Sequence, residues 1–253
     1  MRVEELDGYF RSILPIDEVG NADASLNGLQ VGRRAAEVKK AAFAVDACME
    51  SFRRSVEAGA DLLFVHHGLF WGKPLAVTGE HYGRIAFLIE HGLALYAAHL
   101  PLDMQPEFGN NAGIARELGL EEAGPFGDYH GLSIGTKGRL GKELTLDQVL
   151  ERLNLDRESA LGVLPFGRDS IRTVAVVSGG ADKEVSQALA EGVDLYITGE
   201  ISHQVYHTCQ EGGINLIAGG HYHTETYGPR LLAEKCAEET GIETVFIDVP
   251  TGL

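Results

Sequence analysis

The chain has 253 residues, 44% of them hydrophobic, which is enough to form the core of one large α/β domain or two smaller lobes. Its 37 acidic and 21 basic side chains give a formal charge of -16, which opposes binding to phosphate backbones and makes a nucleic-acid partner unexpected. Three widely spaced cysteines, with no signal-peptide pattern and no apolar run of membrane-spanning length, predict a cytoplasmic protein with free thiols and no membrane association.

Helical and strand patterns alternate along the first half of the chain. An amphipathic helix is predicted over residues 1–13, where Pro15 closes the pattern. The segments that follow are a buried strand at 38–46, a helix at 48–57, a strand at 61–67, a helix at 81–90 and a strand at 93–98. Alternation on this scale predicts an α/β fold with parallel or mixed sheets.

The chain also contains an internal similarity. Lys39–His67 aligns without a gap on Arg172–Glu200, and each segment has the order strand, helix, glycine, aspartate and apolar strand. The matched pairs are Gly59 with Gly192 and Asp61 with Asp194. Chance similarity is the alternative, since glycine caps and apolar strands are common in α/β units. We predict two α/β lobes of similar plan.

Lobe one is predicted at about residues 1–120 and lobe two at about 125–226. The last helix and strand, in 227–253, are candidates to pack back on lobe one. Glycine-rich residues 119–170 are interpreted as the join between the lobes, with one helix at 147–153 that Thr145 can cap.

Three predicted strands end in metal-type ligands. The first ends at His66 and His67, the second is followed by His99 and Asp103, and the third is followed by a segment with His221 and Glu225. The carboxyl ends of parallel strands meet at one edge of a sheet, where α/β proteins place ligands. The pattern therefore predicts a metal site.

The spacing of these residues favours two ions. His221 and Glu225 share one face if a helix begins after the preceding glycines, and the adjacent His66 and His67 suit one ligand for each ion. Three imidazoles and two carboxylates are more than a single open zinc site uses, and carboxylates can bridge two ions. Nitrogen and oxygen ligands without thiolate fit zinc, iron, manganese or cobalt.

Other polar residues allow weaker assignments. Any single histidine at a strand end can be a hydrogen-bonded structural residue, although the occurrence at three strand ends favours a site. His99, His207 and His223 could orient ligands or move protons, or could be polar surface. Ser178-Gly179-Gly180 lacks the lysine of a phosphate loop, so packing is preferred over anion binding.

Several motifs together resemble those of the Nif-three-like proteins, also called dinuclear metal centre proteins or GTP cyclohydrolase I type 2 homologues. They are Asn27-Gly28-Leu29-Gln30-Val31, Val65-His66-His67-Gly68 with Phe70-Trp71, His99-Leu100-Pro101-Leu102-Asp103, Gly109-Asn110-Asn111, Ile197-Thr198-Gly199-Glu200, and Gly220-His221 through Thr224-Glu225. The resemblance covers essentially the whole chain.

The resemblance implies a Nif-three-like fold of two α/β lobes. It implies a homohexameric toroid whose metal sites face the inner cavity. The metal ligands that it implies are His66, His67, Asp103, His221 and Glu225.

The resemblance also suggests a metal-dependent hydrolase that acts on a cyclic amidine. Water would attack C8 of the guanine of GTP, open the imidazole ring and release formate, with His99, Glu200 or His207 moving the proton. The sequence contains no obvious guanine-reading or triphosphate-binding motif. The alternatives are therefore a metal-binding or metal-delivery protein, and a ring-shaped adaptor without catalytic activity.

Overall fold

The computed structural model describes residues 1–253, which divide into two compact units. The first comprises Met1–Leu102 and Pro229–Val249, and the second comprises Asp103–Gly228 and Pro250–Leu253. Each unit is built on one mixed sheet, and no helix in the structure combines the length and apolar character needed to cross a membrane.

The elements follow in chain order. They are α1 (Val3–Ile13), β1 (Gly28–Val31), β2 (Lys40–Asp46), α2 (Met49–Glu57), β3 (Leu62–His67), α3 (Gly79–Glu90), β4 (Ala94–Ala97), α4 (Leu100–Asp103), α5 (Asn110–Leu118), β5 (Leu120–Tyr129), β6 (Leu132–Leu144), α6 (Leu146–Arg152), β7 (Gly162–Pro165), β8 (Ile171–Val176), α7 (Val185–Ala190), β9 (Leu195–Thr198), α8 (His203–Gly212), β10 (Asn215–Ala218), α9 (His221–Thr224), α10 (Tyr227–Thr240) and β11 (Glu243–Phe246).

The first unit has a five-stranded sheet in the order β1-β4-β3-β2-β11. The last four strands are parallel, and β1 pairs antiparallel with β4. Phe10 of α1 packs on one face, with ring centroids 5.1 Å from Phe64 and 4.9 Å from Tyr96. Phe52 and Leu88 belong to a second buried cluster that contains alternate sheet residues. The central strands are continuously apolar because both faces of the sheet are covered.

The second unit has a six-stranded sheet in the order β5-β6-β8-β9-β10-β7. Strands β8, β9 and β10 are parallel, whereas β5, β6 and β7 pair antiparallel with their neighbours. Its core includes Val149, Val174, Leu195 and Ile217, all of them fully buried.

Residues 119–170 form part of this second sheet, so their interpretation as a join was wrong. They supply β5, β6, β7 and helix α6, which Thr145 caps by accepting a hydrogen bond from the Gln148 amide at 3.3 Å. The glycine-rich pattern was misinterpreted because two of these glycines lie where neighbouring strands approach each other closely. A Cβ on Gly135 would lie 2.4 Å from the Val176 carbonyl, and one on Gly138 would lie 2.9 Å from the Glu121 carbonyl.

The predicted internal repeat is present in both units. The strand orders β1-β4-β3-β2 and β7-β10-β9-β8 have the same pattern of one antiparallel and two parallel pairings. In each, an aspartate after the helix binds the start of the first parallel strand. Asp61 accepts from the amides of Lys39 and Lys40, and Asp194 accepts from the amides of Arg172 and Thr173.

Replacing Asp194 with alanine is expected to lower the free energy of unfolding by about 2–3 kcal/mol at pH 7, because two strand amides lose a charged acceptor. Burial would raise the pKa of Asp194, but hydrogen bonds from Thr173 and Arg172 outweigh it and lower the pKa. This stabilisation is therefore present above the unfolded pKa of about 3.9 and is lost as pH falls through the folded value.

Urea unfolding of wild type, Asp194→Ala and Asp194→Asn at pH 7 and pH 3 measures this effect. The asparagine retains an acceptor and should lose less stability than the alanine at pH 7. An equal loss for both variants that does not change between the two pH values would contradict the assignment.

Candidate metal centre

Three histidines of the first unit come together at the carboxyl ends of β3 and β4. Strand β3 ends with His66 and His67, and His99 follows β4, its parallel neighbour. The ring centroids are 4.6 Å apart for His66 and His67, and 4.9 Å apart for His66 and His99. One nitrogen of each ring lies within 4.8 Å of those of the other two, which is a spacing that a single metal ion can bridge. His66 is fully buried.

Adjacent strand residues normally point to opposite faces, yet the rings of His66 and His67, the last two residues of β3, have centroids only 4.6 Å apart. Gly68 follows His67 directly and packs against Gln30. A Cβ on Gly68 would lie 2.3 Å from Gln30 Nε2, and Gln30 Oε1 accepts a hydrogen bond from the Leu69 amide at 2.7 Å. A Cβ on Gly68 would also lie 2.7 Å from Ala97 Cβ of β4, so close packing disfavours a side chain directly after the histidine pair.

Each of these rings has an oxygen acceptor at Nδ1. The pairs are His66 with the Ala98 carbonyl at 3.2 Å, His67 with Asp46 Oδ1 at 2.9 Å, and His99 with Asp23 Oδ1 at 2.9 Å. An acceptor at Nδ1 places the proton there and directs the Nε2 lone pair outward, as in many metal-binding histidines. Sequence analysis missed Asp23 and Asp46, because nothing local to either residue indicates a histidine partner.

The second unit contributes an imidazole held between two carboxylates. His221 and Glu225 lie on and directly after α9, as predicted, and His221 Nε2 is 3.1 Å from Glu225 Oε2. His221 Nδ1 is 2.6 Å from Glu200 Oε1. Burial alone would lower the pKa of His221, but its contacts with Glu225 and Glu200 outweigh burial and raise the pKa from 6.5 to about 9. The two carboxylates therefore favour the protonated form of the His221 ring.

The Ser178-Gly179-Gly180 segment packs against this group. A Cβ on Gly179 would lie 2.2 Å from Glu225 Oε1 and 3.3 Å from His221 Nε2. The Gly179 carbonyl accepts hydrogen bonds from the amides of Gly199 and Glu200. The glycine thus leaves space for the Glu225 carboxylate and fixes the backbone of Glu200.

Asp103 is buried in the second unit and held by side chains of the Gly109-Asn110-Asn111 segment. Its Oδ1 accepts from Asn110 Nδ2 at 2.9 Å and from Ser178 Oγ at 3.1 Å. Asn111 donates to the Asp103 carbonyl at 3.2 Å. The bonds from Asn110 and Ser178 fix the carboxylate, and the bond from Asn111 holds the Asp103 backbone.

The remaining predicted residues have other surroundings. His207 lies on the exposed side of α8, where its ring neighbours are Tyr206 and His203 of the same helix. His223 Nε2 is 3.1 Å from the Leu153 carbonyl, a contact with the end of α6. Glu200 lies against His221, as described above.

The donor sets fit a divalent transition metal. Imidazole nitrogens with a carbonyl or carboxylate at Nδ1 suit zinc, iron, manganese or cobalt, and the buried carboxylates of Asp103 and Glu225 add hard oxygen donors. The three cysteines are free and outside these groups.

The fold and these side chains define an α/β protein of two repeated units, with a histidine cluster that could hold a metal ion. The model of the Duf34/NIF3 (NGG1p interacting factor 3) family matches residues 1–252, and the chain belongs to this family, which confirms the predicted resemblance.

Similar proteins cover the full length. A protein of Archaeoglobus fulgidus named GTP cyclohydrolase 1 type 2 homolog is 48% identical, and one of the same name from Treponema pallidum is 44% identical, each alignment covering 100% of both chains. The crystal structure of TTHA1606 from Thermus thermophilus is similar with a TM-score of 0.87 and 41% identity, covering 100% of both chains.

Proposed function

We propose that this protein is a metal-dependent hydrolase that opens the ring of a purine nucleotide, in the manner of a GTP cyclohydrolase. The observation that carries the proposal is the three-histidine group, in which every Nδ1 faces an oxygen acceptor. The names of the relatives point to the same substrate class.

Two divalent ions, whose identity among zinc, iron, manganese and cobalt is open, are part of the proposal. The ligands proposed for them are His66, His67, Asp103, His221 and Glu225. When bound, the ions would polarise the bond under attack and make hydroxide available near neutral pH. His66 and His67 would bind through Nε2, because the Ala98 carbonyl and Asp46 occupy their Nδ1 positions.

The chain's own groups would handle the proton. His99 is proposed as the base and not as a third histidine ligand, since Asp23 holds its Nδ1 and its ring lies beside those of His66 and His67. Glu200 contacts Nδ1 of His221, so its proposed role is to orient that ring. A proton-transfer role for His207 stays a prediction, because its ring neighbours are only the residues of its own helix.

A cavity in the second unit could receive part of a substrate. Its volume is about 350 Å³, and the residues that line it include Asp103, Gln105, Asn111, Ser133 and Thr136. No lysine or arginine lines it. The cavity therefore suits the uncharged ring of a nucleotide better than its phosphates, which need cationic or amide donors.

Formate release from GTP, measured together with elemental analysis of natively purified protein, tests the proposal. We expect about two metal ions per chain and formate release in the wild type. Asp103→Ala should lose both a metal ion and the activity. The matched control is Asp169→Ala, which removes an exposed carboxylate outside the candidate groups and should leave both readouts unchanged.

Two other results would change the assignment. Wild-type protein that holds two ions but releases no formate from GTP or from other purine nucleotides would refute the hydrolase. Rapid transfer of the ions to an acceptor apoprotein would then support metal delivery instead. Retention of the ions against strong chelators would count against delivery.

Self-assembly into a homohexameric toroid is also proposed. It is supported by large apolar side chains that are exposed on α3 and the segment before it, namely Leu75, Val77, Tyr82 and Ile89. Light scattering should give about six times the chain mass of 27.3 kDa. A mass equal to one chain at micromolar concentration would exclude the hexamer.

A further inference from the structure

Asp23 of the first unit is a buried carboxylate with a complete set of donors. Its side chain is 1% exposed. Oδ1 accepts from His99 Nδ1 at 2.9 Å and from the Ser25 amide at 2.9 Å. Oδ2 accepts from Asn27 Nδ2 at 2.9 Å and from the Leu100 amide at 3.1 Å.

These four donors require the ionised form, because a protonated carboxyl would direct its own hydrogen at one of them. Burial would raise the pKa of Asp23, but hydrogen bonds from His99, Asn27 and Ser25 outweigh burial and lower it. A buried charge without a lysine or arginine partner is costly and contributes little to stability. Its position is better explained by what it does to His99.

His99 is held at two points. Its backbone amide donates to Asn27 Oδ1 at 2.8 Å, and its ring donates from Nδ1 to Asp23. Together these bonds fix both the position of the ring and its tautomer, with the proton on Nδ1. Nε2 is then the basic nitrogen of His99, whose ring centroid lies 4.9 Å from that of His66 and 5.7 Å from that of His67.

The other two carboxylates that contact Nδ1 of a histidine are much more exposed. The side chain of Asp46 is 35% exposed and that of Glu200 is 55% exposed, so water competes for both contacts. A hydrogen bond that a buried carboxylate accepts is stronger than one accepted at the surface. His99 is therefore the ring in the cluster whose tautomer is most firmly set by a carboxylate.

We propose that Asp23 is a positioning residue that makes His99 the general base of the hydrolysis, an inference that rests on the proposed function. An O–H bond of the attacking water breaks, the proton passes to His99 Nε2, and the water oxygen forms a bond to the ring carbon of the substrate. His99 becomes an imidazolium that the Asp23 carboxylate stabilises. As the bond between the attacked carbon and one ring nitrogen breaks, His99 gives the proton to that nitrogen, which leaves a formamide. A second water, deprotonated in the same way, then breaks the remaining bond from that carbon to nitrogen and releases formate. Asp23 stays ionised throughout.

Asp23→Asn tests the proposal with little change in volume. An amide has one acceptor oxygen, so it cannot serve donors on both sides as the carboxylate does. We expect the His99 tautomer to shift from Nδ1–H toward Nε2–H in metal-free protein, as read by ¹⁵N NMR of histidine-labelled samples. We expect kcat for formate release to fall about 100-fold or more, with KM changed less than about threefold.

Asp46→Asn is the matched control, since it acts on His67 and should leave the His99 resonances unchanged. If Asp23→Asn does not fold, the wild-type spectrum still decides, because an Nε2–H tautomer at His99 would overturn the proposal. An Asp23→Asn protein with an altered His99 tautomer and an unchanged kcat would also overturn the proposal. If the wild type releases no formate, the proposed hydrolysis fails, whereas the spectrum still shows whether Asp23 sets the tautomer of His99.

Discussion

Alanine at position 67 is expected to weaken binding of the divalent ion by at least about 100-fold. The imidazole of His67 belongs to the three-histidine group, and Asp46 occupies its Nδ1, which leaves Nε2 to bind an ion. Loss of an outer partner alone costs about 10–100-fold in metal affinity, so loss of the ligand should cost at least the upper value. His67 is preferred to His66 for this test because His66 is fully buried and its removal would also leave a cavity.

Stability with and without metal measures the effect. A metal ion at 100 times the wild-type Kd should raise the free energy of unfolding of the wild type by about 2.7 kcal/mol. At the same concentration, a variant with 100-fold weaker binding should gain only about 0.4 kcal/mol. His91→Ala is the control, because His91 is exposed on the end of α3 and its Nδ1 contacts only the Phe87 carbonyl of its own helix.

Equal gains for wild type and His67→Ala, with normal metal content in both, would remove His67 from the ligand set. The metal-free proteins should differ little in stability, because the His67 ring is part of a polar group and not of the apolar core. A large loss in the metal-free variant would instead identify His67 as a structural residue.

The chemistry at the strand ends could be predicted from sequence because it depends on local patterns. An apolar run that stops at His66-His67 fixes both the strand and the place where the side chains emerge. The helix after Gly219-Gly220 was predictable in the same way, since the spacing of His221 and Glu225 matches one helical turn.

Asp23 and Asp46 were not predictable for the opposite reason. Asp23 lies 76 residues before His99, and Asp46 lies 21 residues before His67, so only the tertiary fold brings each pair together. An aspartate in a loop or at the end of a strand has many ordinary roles, such as capping and turn formation. The role of each aspartate in this protein follows from the histidine that it contacts.

The glycine-rich hairpin shows a further limit of sequence analysis. Glycine indicates a turn when φ is positive, as at Gly131, but it can equally mark a strand that approaches another backbone, as at Gly135. The two cases have the same sequence pattern. The second sheet was therefore under-predicted, whereas the repeat that it shares with the first sheet was found from Asp61 and Asp194.

Gly179→Ala is expected to lower metal affinity by displacing a side chain, an effect that a glycine control can distinguish from backbone strain. Gly179 has φ +67°, and a Cβ there would lie 2.2 Å from Glu225 Oε1. That oxygen is the end of a flexible side chain, so the carboxylate rather than the backbone must move. Glu225 is 3% exposed and contacts His221, so the movement disrupts the contact between these two proposed metal ligands. We expect metal affinity to fall about 10-fold or more.

Gly192→Ala provides the matched control for the backbone cost. Gly192 has φ +70°, nearly the same as Gly179, and a Cβ there would have nothing within 4 Å. Gly192→Ala should lose about 1–2 kcal/mol of unfolding free energy without metal, because alanine is strained in the left-handed region. Gly179→Ala should lose at least as much, since it also displaces the buried Glu225 carboxylate. Metal titration by calorimetry and urea unfolding of the metal-free proteins separate the two effects. Equal metal affinities for the two variants would show that Glu225 is not a ligand, because its displacement would then have no consequence for the ion.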